Sequence, residues 1–425
     1  MHMKKRKSEP TEQISDNKPL DKKKLIPRLV AFLIFFALSV TFITIGVTRL
    51  GHKDEGLQEI TAEQDPELPM YQLGVRFQHY FSGSSNEIKM AAGKLGTAYA
   101  GALKDFYRML NARTEFEGWN NLATLSRNPG QEFTLSRELF DVLVDADRRT
   151  RAGEGFNLYA GAFYAEWESI RYLLTPQERD PLADPDEAAR LEALAKASSD
   201  LSAFSLEIVD ISACRVRFNV REDYLDLLRR LELEDAPILD LNVLADAYKL
   251  QLLAKRMEEA GYHNGYLTTD SGITLALSGY KAGGDYAFVG LYESRPATAA
   301  SRPVKAGSCA VQLRAFASGE DEPGYYALEQ DGVLRLRHPF LPADGVYREL
   351  LLSCFVYAEG KSPTDTVLAA LKLLMQDDEA SVMAQAKADP AYEAALILRS
   401  EPMTVYTDAA MEPGPDYGFS VKPLR

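Results

Sequence analysis

The chain has 425 residues, 46% of them hydrophobic and 26% charged, the proportions of a protein with a sizeable folded core. The net charge is −14, and beyond the first 28 residues no basic stripe interrupts it, which makes the folded part a poor binder of nucleic acid phosphates. The three cysteines (Cys214, Cys309, Cys354) are far apart, and each lies in an apolar run, which argues for buried thiols and against a disulfide framework or metal site.

Residues 1–28 form a basic tail with nine Lys or Arg against four acids. Leu29–Thr48 follows, 20 residues without a charge, long enough as a helix to cross ~30 Å of hydrocarbon. The charge bias keeps the tail cytoplasmic and sends residues 50–425 outward, so a single-pass protein of the cell membrane is expected. A cleaved signal peptide would have a shorter apolar core and small-residue cleavage positions, so an uncleaved anchor is the reading adopted. No cysteine follows the apolar run, which removes a lipoprotein-type anchor. Taking the +5 of residues 1–28 from −14 leaves −19 on the remainder. Residues 49–68, rich in Glu, Asp, Gln and Pro, read as an acidic stalk, and residues 69–425 as the folded ectodomain.

Within that domain a strand is predicted at 71–81. A helix follows with Ile88, Ala92, Leu95, Tyr99, Ala102, Phe106 and Leu110 on one face, the 3-and-4 spacing of an amphipathic helix. Ser136 reads as the N-cap of another helix, with Leu139, Phe140, Val142 and Leu143 as its apolar side. The acids of 179–187 lack the alternation of a calcium loop and read as a capped loop entering a helix around 187–197. Ile238–Leu241 reads as a short strand, and Asn242–Gly261 as a helix stopped by its glycine. Strands are expected at 273–278, 286–292, 309–316, 325–336 (with Asp331-Gly332 as a hairpin turn), 349–357, 394–398 and 403–406. Helices are expected at 363–375 and 379–387. The sum is a single α+β domain of mixed, mostly antiparallel sheets with packed helices.

Several short motifs recur in a fixed order. They are Gly153-Glu154-Gly155-Phe156-Asn157 with Gly161 and Trp167; Leu239-Asp240-Leu241-Asn242 running into Asp246-Ala247-Tyr248; Thr268–Gly272; Ala317-Ser318-Gly319; Arg337-His338-Pro339 with Gly345; and Thr364-Asp365 with Ala369. From about Met70 to Ala410 this order and spacing resemble the FAD:protein FMN transferases of the ApbE type. The resemblance implies a Mg²⁺ ion on the FAD pyrophosphate and transfer of FMN to a Thr or Ser of an extracytoplasmic partner protein. It makes Asp365 a metal ligand and His338 the catalytic group nearest the reacting phosphate, with Ser318, Gly319 and Asp240 on the cofactor. Splitting a pyrophosphate requires charge neutralisation, which a metal with oxygen ligands supplies, and a base for the attacking hydroxyl.

The sequence departs from that pattern in several places. Ala369 stands where the family has a ligating Thr, and Asp246-Ala247 where it has Lys-Gly. Thr268–Gly272 replaces a Gly-Gly loop, and Asn157, Ala343 and Asp344 replace other family residues. An active site impaired or altered in its transfer chemistry is therefore expected. The alternative is a non-catalytic flavin- or nucleotide-binding or interaction module on the same fold. Three residues also have structural readings. Ser362-Pro363-Thr364-Asp365 is a capping box with proline at the first helical position. His338 precedes a proline in a turn, and Asp240 sits where it can hold a strand–helix turn.

Overall fold

A computed structural model describes residues 55–425, apart from 72–73, 174, 293–294, 318–321, 323, 331, 343, 400–402 and 415–418. Among the described residues no helix is long and apolar enough to cross a membrane; the expected anchor at 29–48 lies outside them.

The helices are α1 (Ser85–Met109), α2 (Leu122–Arg127), α3 (Arg137–Arg151), α4 (Gly161–Arg171), α5 (Pro185–Ser199), α6 (Glu222–Arg230), α7 (Val243–Glu259), α8 (Pro363–Leu374) and α9 (Glu379–Ala388). Their ends are set by local chemistry. The Glu87 carboxylate accepts from the Ser84 amide at 2.9 Å at the start of α1, Ser136 caps α3 through the Leu139 amide at 3.2 Å, and Ser362 caps α8 through the Asp365 amide at 3.1 Å. Each side-chain bond satisfies a backbone group that the helix itself leaves open. Every apolar position assigned to the face of α1 is buried.

The core is a nine-stranded sheet in the spatial order Gly56–Ile60, Val75–Phe81, Gly265–Thr269, Ile273–Ala276, Ser308–Arg314, Leu351–Glu359, Glu393–Leu398, Thr404–Thr407, Ser420–Pro423. The pairs are antiparallel except the last, which is parallel. Gly56–Ile60 corrects the expected stalk: its residues form an edge strand on Val75–Phe81. Ile238–Leu241 is a second correction. It joins no sheet, because its amides bond to the Ser126 hydroxyl at 3.0 Å and the Leu158 carbonyl at 2.9 Å.

Leu351–Glu359 lies in the middle of the sheet and is buried on both faces. Cys354 and Val356 point into the helical layer, while Phe355 and Tyr357 point into a second core under the hairpin Asp285–Tyr292/Arg295–Pro303. Near the strand's start the alternation inverts, with Leu351 in the first core and Leu352 in the second. A register shift between Leu351 and Ser353 accounts for it, since one extra residue turns every following side chain to the other face. Gln312 stitches the hairpin to the sheet: its side-chain amide accepts from the Val289 N–H at 3.2 Å and donates to the Val289 carbonyl at 2.7 Å. Arg302 adds a two-pronged ion pair to Glu393. Smaller sheets are formed by Glu132–Thr134, Arg215–Val220 and Phe204–Asp210, and by the hairpin Ala327–Gln330/Val333–Leu336.

Candidate functional site

The 337–347 loop is held from below by α4. Arg337 is 1% exposed and grips the fully buried Asp180 through Nε at 2.6 Å and Nη2 at 2.7 Å. Its guanidinium lies 3.7 Å from the centre of the Tyr347 ring, and Tyr326 adds a hydroxyl bond to Asp180 at 2.7 Å. Trp167 and Arg171 of α4 donate to the Pro339 carbonyl at 3.0 and 2.7 Å. Gly161 lets α4 begin where it does, because a Cβ there would sit 2.6 Å from the Pro237 carbonyl oxygen. Asp180 is thus the anchor of Arg337, and Asp184 caps α5 through the Asp186 amide at 2.9 Å, as the capped-loop reading of 179–187 expects.

His338 lies inside this packing, 2% exposed. Its Nε2 is 2.8 Å from the Leu351 carbonyl. A carbonyl can only accept, so Nε2 carries the proton and Nδ1 holds the lone pair. That Nδ1 is buried and has no hydrogen-bond partner among the described residues. Burial pulls the imidazole pKa down to about 4, opposed by the carbonyls near it. The ring is a neutral core group.

Asp365 stands in the first turn of α8. Its carboxylate accepts from the Ser362 hydroxyl at 2.7 Å and from Arg149 Nη2 at 2.8 Å. Burial alone would raise its pKa, but those two donors outweigh it and hold the carboxyl below its ordinary value. Arg149, on α3, is 9% exposed and also binds Asp145 through Nε at 2.7 Å and Glu154 through Nη1 at 3.1 Å. Beside this cluster a cleft of about 180 Å³ is lined by Asp365, Ala369 and Lys372 on successive turns of α8, with Gln385 and Tyr392 opposite. Ala369 presents a methyl group where a ligating hydroxyl was sought. Among the described residues no group of three or more His, Cys, Asp or Glu side chains is placed to hold a metal ion. The residues at Asp365 do not fit a divalent ion: the carboxylate's cation is a guanidinium.

Asp240 makes a local turn. Its Oδ1 accepts from the Asn242 amide at 2.7 Å, immediately before α7. Enclosure pushes its pKa up to about 6, against the Asn242 hydrogen bond, which favours the charged form. Asn242 has φ 43° and ψ −125°, a conformation that suits glycine. Burial pushes up the pKa of the Tyr164 hydroxyl of α4, which also feels the Asp240 charge. Asp246, where a lysine was sought, binds Lys249 at 3.0 Å and the Ser271 hydroxyl at 2.8 Å, tying α7 to the Thr268–Gly272 loop. Ser318 and Gly319 lie outside the described residues.

These residues do not form one constellation. His338 meets the first residue of the Leu351–Glu359 strand, whereas α8 and Asp365 follow its last. Nine residues of strand put roughly 26 Å between the two ends. Thr364 meets Gln251 at 3.4 Å, nine residues and about 13 Å along α7 from the turn held by Asp240. Arg149 was missed by the sequence reading, although a signal existed. Leu139, Val142 and Ala146 are buried on one face of α3, and the same 3-and-4 spacing puts a charged residue, Arg149, on that face.

No family model matches the sequence, and neither does any curated protein. Solved structures do match. The flavin transferase ApbE from Vibrio cholerae superposes with a TM-score of 0.53 at 11% identity, covering 84% of this chain and 98% of that one. The Pseudomonas stutzeri flavinyl transferase ApbE, in its apo form, gives 0.52 at 15% identity over 84% and 96%. An ApbE protein from Thermotoga maritima gives 0.52 at 13% identity over 83% and 97%. The fold is that of the ApbE flavin transferases, and at these identities the likeness is one of fold.

Proposed function

We propose that this chain is a membrane-anchored, extracytoplasmic protein built on the flavin transferase fold, with the transfer of FMN from FAD to a partner's Thr or Ser hydroxyl impaired. The fold likeness over most of both chains supports flavin chemistry as the starting point. The enclosure of His338, with its ring bonded to Leu351 and its lone pair buried, carries the claim of impairment. A base must come within about 3 Å of the proton it removes, and this ring is walled off from ligands. The charge bias around Leu29–Thr48 supports the anchored, outward-facing topology.

FAD when bound would supply the pyrophosphate to be split. What the chain contributes is position: α4 and the Arg337–Asp180 pair fix the 337–347 loop, and Asp246 and Ser271 fix the 268–272 loop. The same enclosure of His338 favours a second reading, a flavin- or nucleotide-binding or interaction module that transfers nothing.

The test uses the full chain in detergent with FAD, Mg²⁺ and a Thr- and Ser-containing acceptor peptide. FAD binding is followed by fluorescence quenching, and transfer by covalent flavin fluorescence on the peptide. Binding with transfer far below an ordinary enzymatic rate of ~1 s⁻¹ or more is the expected result. Transfer at such a rate would overturn the claim of impairment. Binding with no transfer at all would select the second reading as a binding module, and neither binding nor transfer would select it as an interaction module.

A further inference from the structure

The region around Arg149 carries an inference that does not depend on whether flavin is bound or transferred. Three carboxylates from three parts of the chain converge on one guanidinium. They are Asp145 on α3, Glu154 in the loop after it, and Asp365 at the start of α8, each on a different nitrogen at 2.7, 3.1 and 2.8 Å. The acids are themselves held in place. Tyr248 of α7 donates to Asp145 at 2.7 Å, Ser362 donates to Asp365 at 2.7 Å, and Arg148 pairs with both Asp145 and Glu154. Between these acids the protein has placed one of its own side chains.

We propose that Arg149 is the resident cation of the α8 cleft, occupying the point between Asp145, Glu154 and Asp365 that a divalent ion would otherwise take, so that the cleft is independent of metal. Three considerations support this. Magnesium holds its oxygens at ~2.0–2.1 Å in a near-octahedral shell, and while the guanidinium stands between the three carboxylates it holds them apart, each on its own nitrogen. The next turn of α8 offers the Ala369 methyl, which supplies no oxygen. An entering ion would also meet the positive charge of Arg149, with Lys372 on the same cleft wall, and like charges at such range repel.

The experiment titrates Mn²⁺ into the full-length protein in detergent, reads free Mn²⁺ by electron paramagnetic resonance, and compares melting temperatures in EDTA and in millimolar Mg²⁺. The parent is expected to leave the free Mn²⁺ signal unchanged and to melt at one temperature in both conditions. Arg149→Gln should melt lower than the parent in EDTA, because Asp365 loses its counter-charge and Asp145 and Glu154 are left to Arg148 alone. It should also take up Mn²⁺ and recover several degrees, as a ligand at roughly 100-fold over its Kd does. Uptake of Mn²⁺ by the parent that Asp365→Asn abolishes would overturn the proposal, as would a folded Arg149→Gln that takes up none. If Arg149→Gln does not fold, the parent and Asp365→Asn titrations still decide whether an ion sits at Asp365.

Discussion

Replacing Asp180 with alanine would leave the buried Arg337 guanidinium with Glu349, 3.7 Å from its Nη1, in place of its two-pronged partner. Both side chains are essentially inaccessible, 1% and 0% exposed, so water cannot take over the lost partner. Removing one member of a buried pair costs about 3–5 kcal/mol, because the remaining charge stays desolvated. With an unfolding entropy of about 2.1 cal/mol/K per residue over roughly 370 residues, each kcal/mol shifts Tm by ~1.3 °C, so a fall of about 4–6 °C is expected. The double variant Asp180→Leu/Arg337→Met removes both charges and keeps much of the volume; such swaps are often neutral or stabilising. Here the Tyr326 hydroxyl also loses its acceptor, worth ~1 kcal/mol, so the double variant should melt within about 2 °C of the parent. Thermal unfolding by circular dichroism checks the cycle. Asp180→Ala melting within ~1 °C of the parent, or a double variant as poor as the single ones combined, would refute the role given to this pair.

Three other outcomes are expected. Folded His338 stays neutral down to about pH 4, whereas unfolded histidine binds a proton near 6.5. Acidification through that window therefore favours the unfolded chain, and His338→Gln should flatten the fall in stability by up to roughly 3 kcal/mol when urea midpoints are measured from pH 7 to 4. Asp240 has the opposite sign. Its folded pKa is raised to about 6, so its charge at pH 7 disfavours folding, and Asp240→Asn, which can still accept from the Asn242 amide, should raise stability by roughly 1–3 kcal/mol in urea melts at pH 7. Asn242→Gly should raise Tm slightly, since glycine adopts φ 43° without the ~1 kcal/mol strain of a side chain, whereas a drop in Tm would show that the asparagine side chain outweighs its backbone cost.

Elements with a continuous apolar face were legible in the sequence. The stripe from Ile88 to Leu110 located α1, and the Ser362-Pro363 start located α8. Elements whose burial is one-sided or absent were not. Gly56–Ile60 is a short edge strand with only Ile60 buried and Leu57 and Glu59 exposed, so its composition reads as a stalk. The strand Phe204–Asp210 exposes most of its residues and carries no clear alternation. Helix α4 begins with glycine and is buried nearly all round through Phe163, Tyr164, Trp167 and Ile170, which removes the periodicity that marks a surface helix. The apolar run Ile238–Leu241 has the composition of a strand, but its amides find partners in loops and not in a ladder. The candidate site was legible as a set of residue types and not as a geometry. The family resemblance makes His338 and Asp365 a pair, whereas the length of the strand between them keeps them apart. What an acid faces in space is likewise invisible to a motif, and Asp365 proved to face an arginine.

The Gln312 amide occupies both hydrogen-bonding groups of Val289, at the point where the outer hairpin bulges. Deuterium can therefore enter at the Val289 amide only when the hairpin lifts away from the sheet, an event that also breaks the pairing of Arg302 with Glu393. The two layers then open as one cooperative unit, not as a frayed ribbon over a rigid floor. Exchange at that single amide would report the detachment free energy of the whole outer layer.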